Sequence, residues 1–467
     1  MMIIGCIIII PLITIVFYPN EVDQIKYFVL PGVLSIFIGY VLLYFNRVHH
    51  DSIRFDRHTL WLIVLIWIIS IFIAAIPFAL LDSYNFTHAV FEAASGLSTT
   101  GLSVMDVAEA PKIFLFYRSE LQFFGGVGLV LVFVSILSKH NIYAVYTAEG
   151  HDDQLSPNIV KSARRIIGIY LVYISLGAII LSLAGMSIFD SINHAIAAVS
   201  TGGFSTQVES IYFYQSFWIE LTIMVLMILG GTNFLLNHYI ITGKVKEIKH
   251  HSELKYMAII IVVITPLVAV YLSITQNISY IQSLRTSAFQ FISAATTTGF
   301  SSVSSLALFS SIFILIMILL MIIGGGIGST AGGIKQYRII VILKSVYWYF
   351  RESLSSNRLV YKKTIYRIDK REEISDKMIH NTYVFVLIYI VVLTIGTTIF
   401  MGYGFVMEDS LFETASALGT VGLSLGLFNY SSPPVILWMG STLMFIGRLE
   451  ILIILISIAN IFHKLRK

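Results

Sequence analysis

The stretch "STTGLS" at residues 98–103 returns as "STGGFS" at 200–205, "TTTGFS" at 296–301 and "GTVGLS" at 419–424. The glycines of these turns are Gly101, Gly203, Gly299 and Gly422, and two residues before each stands Thr99, Thr201, Thr297 or Thr420. Nine residues before each glycine is a polar residue: Glu92, His194, Gln290 and Glu413. A second glycine follows the first after 24, 27, 25 and 25 residues, as Gly125 in "FFGGVG", Gly230 in "ILGGTN", Gly324 in "IIGGGIG" and Gly447 in "MFIGRLE". One Thr-x-Gly is an ordinary turn. Four copies with matched flanks are an internal repeat.

The surroundings of these turns are apolar. Hydrophobic residues make up 57% of the 467 and charged residues 12%, with a mean hydropathy of +0.85. A soluble domain cannot hide that much apolar surface, so the chain reads as a polytopic membrane protein. Apolar runs lie near 2–18, 26–46, 59–81, 112–138, 166–186, 212–242, 255–275, 307–345, 381–402 and 433–463. Of the 30 Lys and Arg residues, 25 fall in 47–58, 139–165, 244–255, 335–377 and 464–467. That asymmetry assigns those segments, and both termini, to the cytoplasm. The net charge of +4 therefore reflects topology and not nucleic-acid binding. The single cysteine, Cys6, excludes an internal disulfide and a cysteine metal cage. The first apolar run lacks a basic leading region and reads as a retained span, not a signal peptide.

Ahead of each turn lies a segment too short to cross a bilayer, at about 86–97, 189–199, 284–295 and 409–418. Asp190 and Asp409, each followed by Ser, are expected as N-caps of the second and fourth. The fold expected is an all-α polytopic membrane protein. Two N-terminal transmembrane helices precede four helix–pore-loop–helix repeats around a pseudo-fourfold pore. The corresponding segments are 1–50, then repeats at 51–160, 161–250, 251–375 and 376–467.

Non-helical backbone at membrane depth survives only where protein or a water-filled passage satisfies it. Four such turns about one axis would aim carbonyl oxygens at a common centre, replacing the hydration shell of a monovalent cation. Glycine permits the backbone angles this requires, and half-helix C-termini add partial negative charge. The expected filter residues are Thr99, Thr100 and Gly101; Thr201, Gly202 and Gly203; Thr297, Thr298 and Gly299; and Thr420, Val421 and Gly422. "TVGLS" at Thr420 shares its start with the potassium-channel "TVGYG", but one glycine per repeat implies fewer dehydrated ion sites. The polar residues at Glu92, His194, Gln290 and Glu413 are expected to bond backbone behind the filter.

A gate is expected below it. Six glycines crowd "GGGIGSTAGG": Gly324, Gly325, Gly326, Gly328, Gly332 and Gly333. Each costs a helix about 1 kcal/mol relative to alanine, so a break and a loop are expected, with Ser329 and Thr330 bonding freed backbone. The stretch loosely fits a dinucleotide fingerprint and a P-loop, but no βαβ unit surrounds it. Repeat registry sets Arg448 level with Gly126, Gly231 and Gly325, projecting a fixed positive charge into the ion path. Glu120, Glu220 and Glu450 are expected to meet other polar groups or interfaces. The basic segment 335–377 is a solvated cytoplasmic face and the expected docking surface for a regulatory partner.

Residues 57–467 resemble the superfamily of bacterial Trk and Ktr and plant HKT potassium transporters. The two extra N-terminal spans, "AGMSIFDSINHAIAAVSTGGFST" at 184–206, "GSTAGGIK" at 328–335 and "GRLEIL" at 447–452 are most similar to the TrkH branch. The resemblance implies potassium uptake across a bacterial inner membrane and a homodimer with one pore per subunit. It also implies a cytosolic TrkA-type RCK ring, with no nucleotide on this chain, and gating by the glycine-rich loop and the arginine together. Glycine at all four filter positions matches the potassium-selective members. The chain is expected not to be an enzyme: no HExxH motif or nucleophile–base pairing is present. Cation symport with Na⁺ or H⁺, or a channel-like sensor without bulk flux, are the alternative readings. The only expected ligands are K⁺ as cargo and membrane lipid.

Overall fold

The computed structural model describes residues 1–45, 58–128, 159–244, 251–355, 362–367 and 370–465. The expected cytoplasmic stretches 47–57 and 139–158, and the far end of the run 112–138, lie outside these residues.

Helix α1 (Met2–Ile9) tightens into a 3-10 turn at Ile10–Val16, where Pro11 begins the turn and lacks the N–H an α-helix would need. Helix α2 (Ile25–Phe45) returns against it. Small residues set their separation: a Cβ on Gly5 would stand 2.6 Å from the Gly32 carbonyl oxygen. Val29, Leu30, Val33, Leu34 and Phe37 of α2 face outward. A run of exposed aliphatic side chains on a polytopic chain is a lipid-facing surface.

The four repeats follow. Repeat 1 has α3 (His58–Ala79), the half-helix α4 (Phe86–Leu97) and α5 (Lys112–Val127). Repeat 2 has α6 (Ile159–Leu183), the half-helix α7 (Ile188–Val199), and α8 (Phe217–Gly230) with α9 (Phe234–Ile241). Repeat 3 has α10 (Ser252–Gln276), the half-helix α11 (Tyr280–Ala295), α12 (Ser311–Ile323) and α13 (Gln336–Ser353). Repeat 4 has α14 (Asp376–Gly402), the half-helix α15 (Met407–Leu418), and α16 (Pro434–Arg448) with α17 (Ile451–Leu465).

All four half-helices end two residues before the repeated threonine. The first starts at Phe86 as expected, and the other three start one, four and two residues earlier than expected. Ser187, not Asp190, caps α7: its Oγ accepts from the Asp190 N–H at 3.1 Å and donates to the Asp190 carboxylate at 2.8 Å, a reciprocal capping pair. Val406 occupies the cap position of α15, and Asp409 sits inside the first turn, where its charge complements the helix dipole.

The break expected in repeat 3 has counterparts. Helices α8 and α9 meet at 117°, and α16 and the following helix at 97°. In repeat 2, Asn233 explains the new start: its side chain accepts from the Leu235 N–H at 2.8 Å. In repeat 4, Glu450 takes a left-handed φ of 57° at the bend. Among its described residues, the segment 335–377 is not the bare solvated face expected. It contains α13 and an antiparallel hairpin of β1 (Thr364–Arg367) and β2 (Lys370–Glu373).

Candidate functional site

Each half-helix closes in the same way. The N–H of Thr100, Gly202, Thr298 and Val421 donates to the carbonyl of Ser95, Ala197, Ser293 and Ser416 at 2.8–2.9 Å. The residues just before them are left-handed: Thr99, Thr201, Thr297 and Thr420 have φ of 57°, 49°, 53° and 51°. This is a Schellman-type terminus with threonine where glycine is usual. A β-branched residue at positive φ is costly, about 1–2 kcal/mol. Four such costs at one level mark backbone held for a purpose.

The turn glycines then follow, at φ of 93°, 71°, 90° and 94°. A Cβ on Gly101 would lie 2.1 Å from the Gly202 oxygen; on Gly203, 2.0 Å from that of Thr298; on Gly299, 2.0 Å from that of Val421; and on Gly422, 2.0 Å from that of Thr100. Every glycine abuts the carbonyl preceding the next repeat's glycine, and the fourth returns to the first. The ring is closed. Only glycine fits, because any side chain would collide with a backbone oxygen. Gly101, Gly203, Gly299 and Gly422 all line one outer cavity of about 360 Å³, rimmed by Ser103, Ser205, Ser301 and Ser424.

Those serines are held from behind. Glu92 accepts from the Ser103 hydroxyl at 2.7 Å and from the N–H of Val104 and Met105 at 2.6 and 2.9 Å. Glu413 does the same for Ser424 at 2.6 Å, Leu425 at 2.7 Å and Leu427 at 3.2 Å. Gln290 donates to the Ser301 hydroxyl at 3.2 Å. Nδ1 of His194 donates to the Asp190 carbonyl at 2.8 Å, leaving Nε2 to accept from Ser205 at 2.9 Å. One position thus makes one contact in four repeats with three side-chain chemistries.

Below the ring, the second glycines pack on the half-helix ends. A Cβ on Gly125, Gly230 or Gly447 would stand 2.0, 2.4 or 2.1 Å from the carbonyl oxygen of Leu97, Val199 or Leu418. Repeat 3 departs, as Gly324 faces Gly332 instead. The glycines after them face the next repeat: Gly126 meets Ser200 and Gly231 meets Thr296. The registry expected Gly325 there. Gly325 packs on Ala331, and Gly332 takes the place against Gly419 and Thr420. The inserted loop has shifted the contact seven residues along the chain.

This loop packs against the threonines of the ring. The Gly332 N–H donates to Thr297 Oγ1 at 2.8 Å, and the Thr201 hydroxyl donates to Thr330 Oγ1 at 2.9 Å. Thr330 in turn donates to the Gly230 carbonyl at 3.1 Å. Ser329 closes the turn onto the Gly326 carbonyl at 2.6 Å. Repeat 2 holds the near side through Gly231, whose carbonyl accepts from the Gly326 N–H at 3.0 Å, and Asn233, which donates to the Ile327 carbonyl at 2.7 Å. The Phe234 N–H donates to the Gly328 carbonyl at 3.0 Å, and Glu253 accepts from the Ile327 N–H at 3.0 Å. Gly333 turns the chain out of the loop with a φ of 80°, which glycine adopts without cost.

Arg448 joins the loop to the opposite wall. Its guanidinium donates to the Thr330 carbonyl at 2.9 Å and to the carbonyls of Gly125 and Gly126, the latter at 3.3 Å. Repeats 1, 3 and 4 therefore meet at one cation. Of the other acids, Glu220 forms a two-pronged pair with Arg285 at 2.6 and 2.8 Å, and Glu450 pairs with Arg338 at 2.7 Å. Glu120 meets no polar group among the described residues. It is 4% exposed, and neither carboxyl oxygen has a hydrogen-bond partner.

Sequence reading named the four threonines but not their positive φ, and it missed the tie at Gln122 described below and the serines Ser95, Ser293 and Ser416. Their Oγ atoms accept from the N–H of Gly101, Gly299 and Gly422 at 3.0–3.1 Å. Those serines were visible as a residue six before the glycine in three repeats.

Residues 24–464 match the sequence family described as TrkH, cation transport protein. The chain belongs to the TrkH family. An uncharacterized cation transporter of Methanocaldococcus jannaschii is 31% identical over 99% of this chain and 94% of that one. The Trk system potassium uptake protein TrkH of Escherichia coli strain K12 is 28% identical over 92% of this chain and 91% of its own. The crystal structure of the potassium transporter TrkH from Vibrio parahaemolyticus superposes with a TM-score of 0.85 at 25% identity, covering 97% of this chain and 95% of that one. Membership in the TrkH family and the helices long enough to cross a bilayer identify a multi-pass membrane protein.

Proposed function

We propose that this chain carries K⁺ inward across the cell membrane, with the ring of Thr-x-Gly turns as its filter. One observation carries the reading: each turn glycine abuts the carbonyl oxygen preceding the next repeat's glycine, and the ring closes on itself around a polar outer cavity. Oxygens so interlocked form a fixed cage for a dehydrated monovalent cation. The E. coli relative, named as a potassium uptake protein, supports K⁺ as the cargo. A negative interior supplies the drive, at about 2.3 kcal/mol per elementary charge per 100 mV.

The residues Gly324–Gly333 and Arg448 form the gate below the filter. The loop is tied to repeat 2, to Thr297 and through Thr330 to Arg448, ties that opening would have to break. Cytoplasmic termini rest on the Lys and Arg asymmetry, and the remaining parts rest on the resemblance: a homodimer, one pore per subunit, and a cytosolic RCK ring that binds nucleotide on the transporter's behalf. Helix α13 and its hairpin provide the cytoplasmic face on which such a ring would dock.

Vesicles holding the purified chain, with an imposed interior-negative potential, test the function. Uptake is expected in the order K⁺ and Rb⁺ well above Na⁺ and Li⁺, without a gradient of Na⁺ or H⁺. Flux that follows such a gradient and ignores the potential contradicts the reading. For the partner, purification from native membranes is expected to bring down a soluble ring and yield nucleotide-dependent flux. Recovery of the transporter with no cytosolic protein, and flux indifferent to nucleotide, contradicts it.

A further inference from the structure

The filter ring is closed but not symmetric. Three strands have their own brace, the serine of the half-helix that accepts from the turn glycine's N–H. Repeat 2 has Ala197 at that position, and the Gly203 N–H reaches only the Ala197 carbonyl, at 3.4 Å. A methyl group cannot accept a hydrogen bond, so this strand must be held from elsewhere.

The holding group comes from repeat 1. Gln122 on α5 donates from Nε2 to the Gly202 carbonyl at 2.6 Å and accepts at Oε1 from the Phe204 N–H at 3.3 Å. The opposite amide orientation would set oxygen against oxygen and nitrogen against N–H, so the two partners fix it. One turn earlier on the same face of α5, the Arg118 guanidinium lies 3.4 Å from the Ser205 carbonyl and 4.0 Å from the centre of the Phe204 ring. Its Nε is 3.4 Å from the Glu92 carboxylate, which organises the strand of repeat 1. Gln122 is fully buried and Arg118 is 2% exposed. Two side chains of one helix thus grip residues 202–205 and tie that strand to its neighbour.

The gripped carbonyl belongs to the ring. The Gly202 oxygen stands against Gly101 as those of Thr298, Val421 and Thr100 stand against the other three glycines. An amide N–H on it occupies one lone pair and fixes its direction. We infer that Gln122 is a specificity-determining positioning residue, replacing in trans the serine that repeat 2 lacks and setting the Gly202 carbonyl toward the ion. The inference rests on the reading of the ring as the filter.

The test uses the full chain in vesicles, with K⁺ and Na⁺ flux measured on the same preparation. Gln122→Leu keeps the bulk and removes both hydrogen bonds. The K⁺/Na⁺ ratio is expected to fall about tenfold, the scale set by one lost polar contact to a filter carbonyl, with Na⁺ flux rising. Adding Ala197→Ser to Gln122→Leu supplies the missing brace and is expected to restore most of the ratio. A folded Gln122→Leu protein with an unchanged ratio, or with both fluxes lowered equally, overturns the inference, as does failure of the serine to rescue. If the leucine variant does not assemble, Gln122→Asn, with the same amide one methylene short, decides: an unchanged ratio overturns the inference and a lowered one supports it. Gly101→Ser serves as the reference. If it changes the ratio and Gln122→Leu does not, only the role of Gln122 falls; if neither does, the filter reading falls with it.

Discussion

Arg448→Ala is expected to raise K⁺ flux about a hundredfold and leave ion preference intact. The guanidinium is bound to carbonyls of Thr330, Gly125 and Gly126, and on the proposed reading it lies across the passage below the filter. A unit charge about 6 Å from a passing cation opposes it by about 3 kcal/mol at an effective dielectric of about 20, which slows passage about a hundredfold. Removing it also frees the Thr330 carbonyl and with it one anchor of the loop. Arg448→Lys separates the two contributions. A lysine keeps the charge and loses the fork, so flux stays low if charge is the barrier and rises if the tie is. Shortening 324–333 is expected to raise flux as well, because the loop packs against Thr201 and Thr297. A folded Arg448→Ala protein whose K⁺ flux is unchanged or lower contradicts the barrier role.

Gly101→Ser is expected to lower the K⁺/Na⁺ ratio by more than about tenfold. The serine Cβ would have to occupy space 2.1 Å from the Gly202 oxygen, at a φ of 93°. The left-handed conformation alone costs about 1–2 kcal/mol, and the collision displaces a ring carbonyl besides. Displaced oxygens match a dehydrated K⁺ less well, while Na⁺ gains. Gly404→Ser is the control. Its φ is 93°, but a Cβ there meets nothing within 4 Å, so it bears the backbone cost without touching the ring. Selectivity is expected to survive at Gly404 and fail at Gly101. Equal ratios in the two variants would remove Gly101 from the filter.

What the sequence makes legible here is what repeats in it. Four registered glycines predicted four turns; the polar residue nine places earlier was expected to bond backbone, which Glu92 and Glu413 do beyond the turn, while all four reach the serine two residues past the glycine. Glycine density predicted the break in repeat 3. Breaks in repeats 2 and 4 were harder to read because each needs only one residue out of register, Asn233 as a cap or Glu450 at positive φ. The strained threonines were illegible, since propensity argues against a β-branched residue in that conformation. Neighbours in the closed ring impose it. Registry failed at Gly325 because an insertion lets the chain return and present Gly332 instead. Asp190 was misplaced as a cap because Ser187, three residues earlier, competes for the same N–H groups.

The central claim is that an ion sits on the axis of the glycine ring, held by backbone oxygens of all four repeats. Rb⁺, which scatters X-rays anomalously and substitutes for K⁺, tests it in crystals grown with RbCl in place of KCl. The account predicts an anomalous peak on that axis, equidistant from the carbonyls of Thr100, Gly202, Thr298 and Val421, that weakens when excess NaCl replaces part of the RbCl less than when KCl does. A chain with no peak on the axis, or with Rb⁺ held only by side chains elsewhere, would contradict it.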